Sequence, residues 1–251
     1  MVSLTCLEVH SDNAFISADN LFPLGSIPPS LTQLSLDRVS IPAGFSFPDH
    51  LTSLAFWYVQ WEQRQIHFAS NLSTFRSWMH AREPVVQHLP PTVTVLDVDV
   101  LETSLKRFSR LKALTLYCLE ENPTEHVLSL PAAAPLQELN IRVTLPEMQA
   151  LVVRFAATLE RVVWRVAGSF AAVSLQCFTS VQRLQCLRLV FDDDGNCELV
   201  PNQCAVLRGC LHLGFLGVTM WSAKSSVQNG MQAAIEDGLP GVVVEFEADT
   251  R

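Results

Sequence analysis

The chain has 251 residues, 49% of them apolar and 17% charged, a folded composition that excludes an extended disordered chain. With 25 acidic against 17 basic residues its formal charge is −8, so the surface as a whole does not attract nucleic-acid phosphates or anionic lipid. Seven cysteines, an odd number with no C-x-x-C among them, fit reduced thiols rather than a disulfide framework or a metal site.

The opening, MVSLTCLEVHSDN, has no basic leader, and Glu8 and Asp12 interrupt it before an apolar run develops, so no secretory signal is expected. The most apolar later stretch, 148–167, carries Arg154, Glu160, Arg161 and Arg165 and does not read as a membrane span. A reducing, cytoplasmic setting is expected.

From Leu4 onward one phrase recurs: LTCLEV, then LTQLSL from Leu31, LTSLAF from Leu51, VTVLDV from Val93, LKALTL from Leu111, LQELNI from Leu136, LERVVW from Leu159, LQCLRL from Leu184 and LGFLGV from Leu213. A weak copy, LSTFRS, starts at Leu72, and a worn last one, VVVEF, starts near Val242. Starts are 18 to 29 residues apart. In x-L-x-L the side chains alternate, so Leu34 and Leu36 face one way while Ser35 and Asp37 face the other. One such strand is too short to be stable alone. Stacked in parallel with its neighbours, it buries its leucines in a core that continues from copy to copy, and the first leucine of each phrase enters that core from the preceding turn.

Between strands the N-terminal half uses proline-bearing segments, NLFPLGSIPP, IPAGFSFPDH and REPVVQHLPP, which predict extended returns. LETSLKRFSR, 101–110, is the first predicted short helix. After residue 140 the returns read as helices. LPEMQALVVRFAAT, 145–158, places Pro146 at its start and Met148, Leu151, Val152 and Phe155 on one face. SFAAVSLQCFTSVQR, VPNQCAVLRGC and SSVQNGMQAAIEDG read the same way, the last stopped at Gly238. No linker divides the halves.

Register gives the outward residues. Trp57, Trp78 and Tyr117 gather in the N-terminal half beside Asp37, Asp97 and Asp99, and Arg142, Arg161, Arg165 and Arg188 gather in the C-terminal half. With neighbouring strands about 4.8 Å apart, the arginines are expected in one patch. Aromatic residues and arginine are the types favoured at protein-binding hot spots.

Other chemistries fall away. Asp192-Asp193-Asp194-Gly195 lacks the alternating spacing of a calcium loop, and Pro201 stands where the bidentate glutamate is due. The seven histidines form no metal-binding or catalytic pattern, and no nucleophile elbow, P-loop or dinucleotide-binding glycine motif exists. Asp97 and Asp99 are the one close outward carboxylate pair and share a strand, which argues against polysaccharide hydrolysis on stacked strands.

The recurring phrase at this spacing resembles the leucine-rich repeat, whose unit runs 20–29 residues, and the resemblance covers nearly the whole chain. Where that family continues x-x-N/C-x-L, this chain has Val39, Val59, Leu101 and Leu119, with Asp12, Thr144 and Asp192 in other copies. A regular asparagine ladder is therefore absent and an irregular coil is expected. The resemblance implies an α/β leucine-rich-repeat solenoid. Its curved parallel β-sheet would line the concave face, with proline-rich returns in the N-terminal half and helical returns in the C-terminal half. One domain over 1–251, of about ten to eleven repeats, is expected. It also implies a non-enzymatic scaffold, without metal or cofactor, that binds another protein on the concave face through the ten outward residues named above. The alternative is the substrate-recognition part of an F-box-type ubiquitin ligase whose adaptor-binding segment lies outside this chain. Neither nucleic acid nor membrane is an expected partner. The first and last strands carry no capping element, so further flanking sequence is expected, or else self-association through the ends.

Overall fold

Leucine alternating with polar residues builds the strands. The structure, a computed structural model, describes residues 4–10, 16–17, 27–41, 45–61, 67–78, 85–99, 101, 103–117, 124–167, 174–191, 206–221, 232–233 and 235–249. It is α/β, with parallel sheet and few helices. Two compact units divide the chain: Met1–Leu116 with Ser129–Ala134, and Tyr117–Leu128 with Pro135–Arg251.

The first unit contains β1 (Cys6–Val9), β2 (Ile16–Ser17), β3 (Gln33–Asp37), β4 (Val39–Ile41), β5 (Ser53–Trp57), β6 (Gln60–Trp61), β7 (Thr74–Trp78), β8 (Val95–Val98) and β9 (Ala113–Leu116). Strands β1, β3, β5, β7, β8 and β9 pair in that order, all parallel. The register sets Leu34, Leu54, Phe75, Leu96 and Leu114 side by side, each at most 2% exposed. Leu36, Phe56, Val98 and Leu116 are buried in a second file, which Ser77 on β7 interrupts. The weak copy at Leu72 thus keeps its strand. Leu31, Leu51, Leu72, Val93 and Leu111 are buried before their strands, each closing a turn by donating its N–H three residues back, to Pro28, Pro48, Ala69, Pro90 and Phe108. Phe45 and Phe47, from the return between β4 and β5, reach the core, where Phe47 stacks on Phe68 and Phe56 meets Phe75 edge on.

Three features of this unit go beyond the expected extended returns. The strands β2, β4 and β6 form their own parallel three-stranded sheet. Arg38 and Tyr58, between β3 and β4 and between β5 and β6, take positive φ of 54° and 51°. These left-handed residues turn the chain sharply enough to bury Val39 and Val59. The second position of the phrase carries a hydroxyl ladder. The side chains of Thr32, Thr52, Ser73 and Thr94 donate to the carbonyls of Thr5, Thr32, Thr52 and Ser73 at 3.3, 3.2, 3.0 and 3.2 Å.

The helix expected over 101–110 does not form. Phe108 and Leu111 donate to Leu105 and Phe108 in successive three-residue turns that bury Leu105, Phe108 and Leu111. With only 18 residues between the phrases at Val93 and Leu111, too little chain remains for a helix and its connections.

The second unit contains α1 (Thr124–Leu128), β10 (Glu138–Val143), α2 (Leu145–Phe155), β11 (Arg161–Val166), β12 (Cys186–Phe191), β13 (Phe215–Trp221) and β14 (Val243–Asp249). Its five strands pair in chain order, all parallel. Leu139, Val162, Leu187 and Leu216 form one buried file, and Ile141, Trp164, Leu189 and Val218 the next. Behind them α2 buries Met148, Leu151, Val152 and Phe155, as its 3.6-residue pattern requires. Pro146 stands in its first turn, and Glu147 accepts from both the N–H and the hydroxyl of Thr144 at 2.7 Å.

Later returns depart from the helical expectation. The segment after β11 makes a 3-10 helix over Leu175–Ser180, and the one after β12 a 3-10 turn over Leu207–Gly209. Leu175, Phe178 and Val181 are buried at a spacing of three, which suits three residues per turn better than 3.6. Of the last return, 232–233 and 235–242 are described, with helix over 232–233 and 235–238. The acidic turn 192–195, with Asp12 and Leu119, lies outside the described residues. Among those residues, no helix is long and apolar enough to cross a membrane.

Candidate functional site

Because alternate residues of each strand enter the core, the remainder form an outward face in register rows. In the first unit one row runs Asp37, Trp57, Trp78 on β3, β5 and β7. A second runs Glu8, Ser35, Ala55, Arg76, Asp97, Thr115 from β1 to β9. The indoles of Trp57 and Trp78 meet with their planes 61° apart, and Trp57 remains 36% exposed. Asp37 pairs with His10 through one carboxylate oxygen, while its other, Oδ1, is buried without a hydrogen-bond partner.

Asp97 holds the far side of this arrangement. Burial pushes its pKa up, against the opposing charge of Arg76 and a hydrogen bond from the Trp78 side chain. Its Oδ1 is also buried and accepts no hydrogen bond. Asp99 follows β8, half-buried, and its N–H donates to Ser77 O at 3.2 Å. Arg76, which sequence reading did not single out, is exposed and lies next to Asp97 in register. The signal for it was present: the two occupy the same place in successive phrases, 21 residues apart.

In the second unit the four arginines stand in three settings. Arg142 and Arg165 are register neighbours on β10 and β11. The guanidinium of Arg165 lies over the Tyr117 ring, 5.3 Å from its centroid, and its Nε is buried without a hydrogen-bond partner. Arg161 reaches Glu138, its register neighbour, at 3.4 Å, with both side chains more than half exposed. Arg188 reaches Glu245 at 3.2 Å although β13 separates their strands. The residue between them in the row is Gly217. A Cβ there would stand 3.0 Å from Arg188 Nε and 3.0 Å from Phe215 Cε1, so the glycine is the floor on which Arg188 crosses. Arg188 also lies over the Phe215 ring at 5.8 Å. Glu138 and Glu245, absent from the sequence-based candidates, therefore partner two of the four arginines. The expected single arginine patch is in fact a mixed-charge face.

Three of the described thiols are held toward the protonated form. Burial pushes Cys177 up to about 11, and it raises Cys186 and Cys210 as well. Among the described residues no group of three or more His, Cys, Asp and Glu side chains stands ready to hold a metal ion. The arrangement offers flat aromatic surface, half-buried carboxylates and oriented guanidinium groups, which are means of recognition. No protein-family model matches the chain, and no curated protein does either.

Proposed function

We propose that the chain is a repeat solenoid of the leucine-rich type that binds another protein on the outward face of its strands and performs no chemistry of its own. The observation that carries this reading is the Trp57–Trp78 pair, large apolar surface left accessible on a sheet face whose opposite side is a closed core. Tryptophan in such a position removes more apolar area from water on docking than any other side chain, and hot spots are enriched in it. In the second unit, Arg165 held over Tyr117 adds an oriented cation next to an aromatic face. An intracellular setting belongs to the same reading, supported by free thiols at Cys6, Cys177, Cys186 and Cys210.

Affinity capture with the purified chain, followed by mass spectrometry, tests the proposal. Trp57→Ala and Arg165→Glu, made separately, should each deplete the same captured protein while circular dichroism stays unchanged. Capture indifferent to both substitutions would remove the outward face as the binding surface.

A further inference from the structure

The tryptophan pair is flanked by carboxylates that the protein itself leaves incompletely satisfied. Asp37 precedes Trp57 and Trp78 in the row, and Asp97, one strand beyond Trp78, takes the hydrogen bond from its side chain. The aromatic pair is therefore bracketed by two carboxylates three strand steps and two residues of register apart, a span of about 16 Å. The Asp37 side chain is 18% exposed, and Asp97 is half-buried. Each keeps one oxygen shielded from water and without a hydrogen bond. A carboxylate so placed attracts a nearby cation more strongly than one in bulk water, because less solvent screens it.

The rest of the face has the same sign. Among outward residues on the strands of this unit, Glu8, Asp37 and Asp97 are acidic and Arg76 alone is a permanent cation. Arg76 is adjacent to Asp97 in register, and its charge opposes the effect of burial on that carboxyl. Indole faces are the strongest aromatic partners of ammonium and guanidinium groups.

Resting on the reading that this face binds a protein, we infer that its occupant is an extended basic segment, with a lysine or arginine side chain seated over the Trp57–Trp78 pair between Asp37 and Asp97. At about 3.3 Å per residue, four or five extended residues bridge the two carboxylates. Alternate residues of such a segment face the same way, so basic residues at every second position put one charge over the indoles and others near each carboxylate. Arg76 opposes the occupant and tunes its affinity downward.

Fluorescence anisotropy of the full chain with a labelled peptide of alternating lysine and glycine provides the test. The same peptide with glutamate for lysine, and a single-stranded oligonucleotide, serve as counter-probes. The basic peptide should bind and both counter-probes should not. Trp57→Ala should weaken the basic peptide about 2- to 30-fold, the range a cation–aromatic contact covers. Trp57→Phe, which keeps an apolar ring, should weaken it less. Asp97→Asn should weaken binding more than Glu125→Gln, which removes an equal charge from the exposed surface of α1, and Arg76→Ala should tighten it. Equal binding of basic and acidic peptides, or equal effects of Asp97→Asn and Glu125→Gln, overturns the inference. If the basic peptide fails to bind while capture from lysate still depends on Trp57, the basic occupant is wrong and the protein-binding face stands. Capture that ignores Trp57 ends the wider reading instead.

Discussion

Neighbouring strands of the first unit share their buried leucines in register, which makes a specific demand on energetic coupling. Leu34 and Leu54 are partners on adjacent strands, 2% and 1% exposed, whereas Leu114, also 1% exposed, sits four strand steps from Leu34. Those distances are about 5 Å and about 19 Å. Truncation of each to Ala should cost roughly 2–5 kcal/mol, because a fully enclosed side chain loses its transfer energy and leaves a cavity. In Leu34→Ala/Leu54→Ala the two cavities touch, so the pair should depart from additivity by at least about 0.5 kcal/mol. In Leu34→Ala/Leu114→Ala the effects should add within about 0.5 kcal/mol. Ser35→Ala, on the outward side of the same strand, should stay within about 0.5 kcal/mol. Urea titrations of the six variants and the wild type read out all of these, from midpoints at constant slope. Equal coupling in both pairs, or a Ser35 effect as large as that of Leu34, would refute a core built file by file.

Three further substitutions probe local features. Arg38→Gly should stabilise by up to about 1 kcal/mol, since a left-handed non-glycine residue costs roughly 1–2 kcal/mol and glycine returns part of that as chain entropy; Arg38→Val should destabilise, and thermal melts decide. Gly217→Ala should cost about 1 kcal/mol, at the low end for overpacking because the Arg188 side chain can shift, and a cycle with Glu245→Gln should show the Arg188–Glu245 contact already lost. For Asp97 the folded pKa lies above its ordinary 3.8, so between those values the native chain binds a proton that the unfolded chain does not. This group's contribution to stability therefore improves as pH falls through its folded pKa and is unfavourable above it. Asp97→Asn should stabilise the protein at pH 7 and leave it unchanged near pH 3, and lower stability of the variant at pH 7 would contradict the burial argument.

The strands were readable because a period of two leaves a mark even in five residues. Thr74–Trp78 emerges as a strand from the weak copy at Leu72, and Val243–Asp249 from the worn copy near Val242. The side sheet of β2, β4 and β6 was not readable, since two or three residues are too few for alternation to register. Val39 and Val59 stood out only as replacements for asparagine, and nothing in Arg38 or Tyr58 announces a positive φ as a glycine would. Over the six residues Leu175–Ser180 a period of three and one of 3.6 differ by only about one residue, so a 3-10 helix reads as an α-helix. On the outward face, register placed every candidate in its row. It missed who bonds whom, because Arg188 finds Glu245, 57 residues away, only through the gap that Gly217 leaves.

The missing asparagine ladder has a substitute, and the substitute explains why the outward face is so varied. The turns after β3, β5 and β8 are bonded by main chain: the N–H groups of Arg38, Tyr58 and Asp99 donate to the carbonyls of Trp57, Trp78 and Ser77. In the second unit the N–H of Ala167 donates to Val143 O at 3.1 Å, and the buried Trp164 indole donates to the same oxygen at 2.9 Å. Before the strand, the hydroxyls of Thr32, Thr52, Ser73 and Thr94 reinforce a backbone ladder that continues in the second unit from Glu160, Gln185 and Gly214 without them. Bonds made by backbone tolerate any side chain. Structural duty in this chain thus falls on the inward leucines and on the residues flanking each strand. The outward positions between them can hold Asp37, Trp57, Trp78 and Asp97 in one unit and Arg142, Arg161, Arg165 and Arg188 in the other without disturbing the strands that carry them.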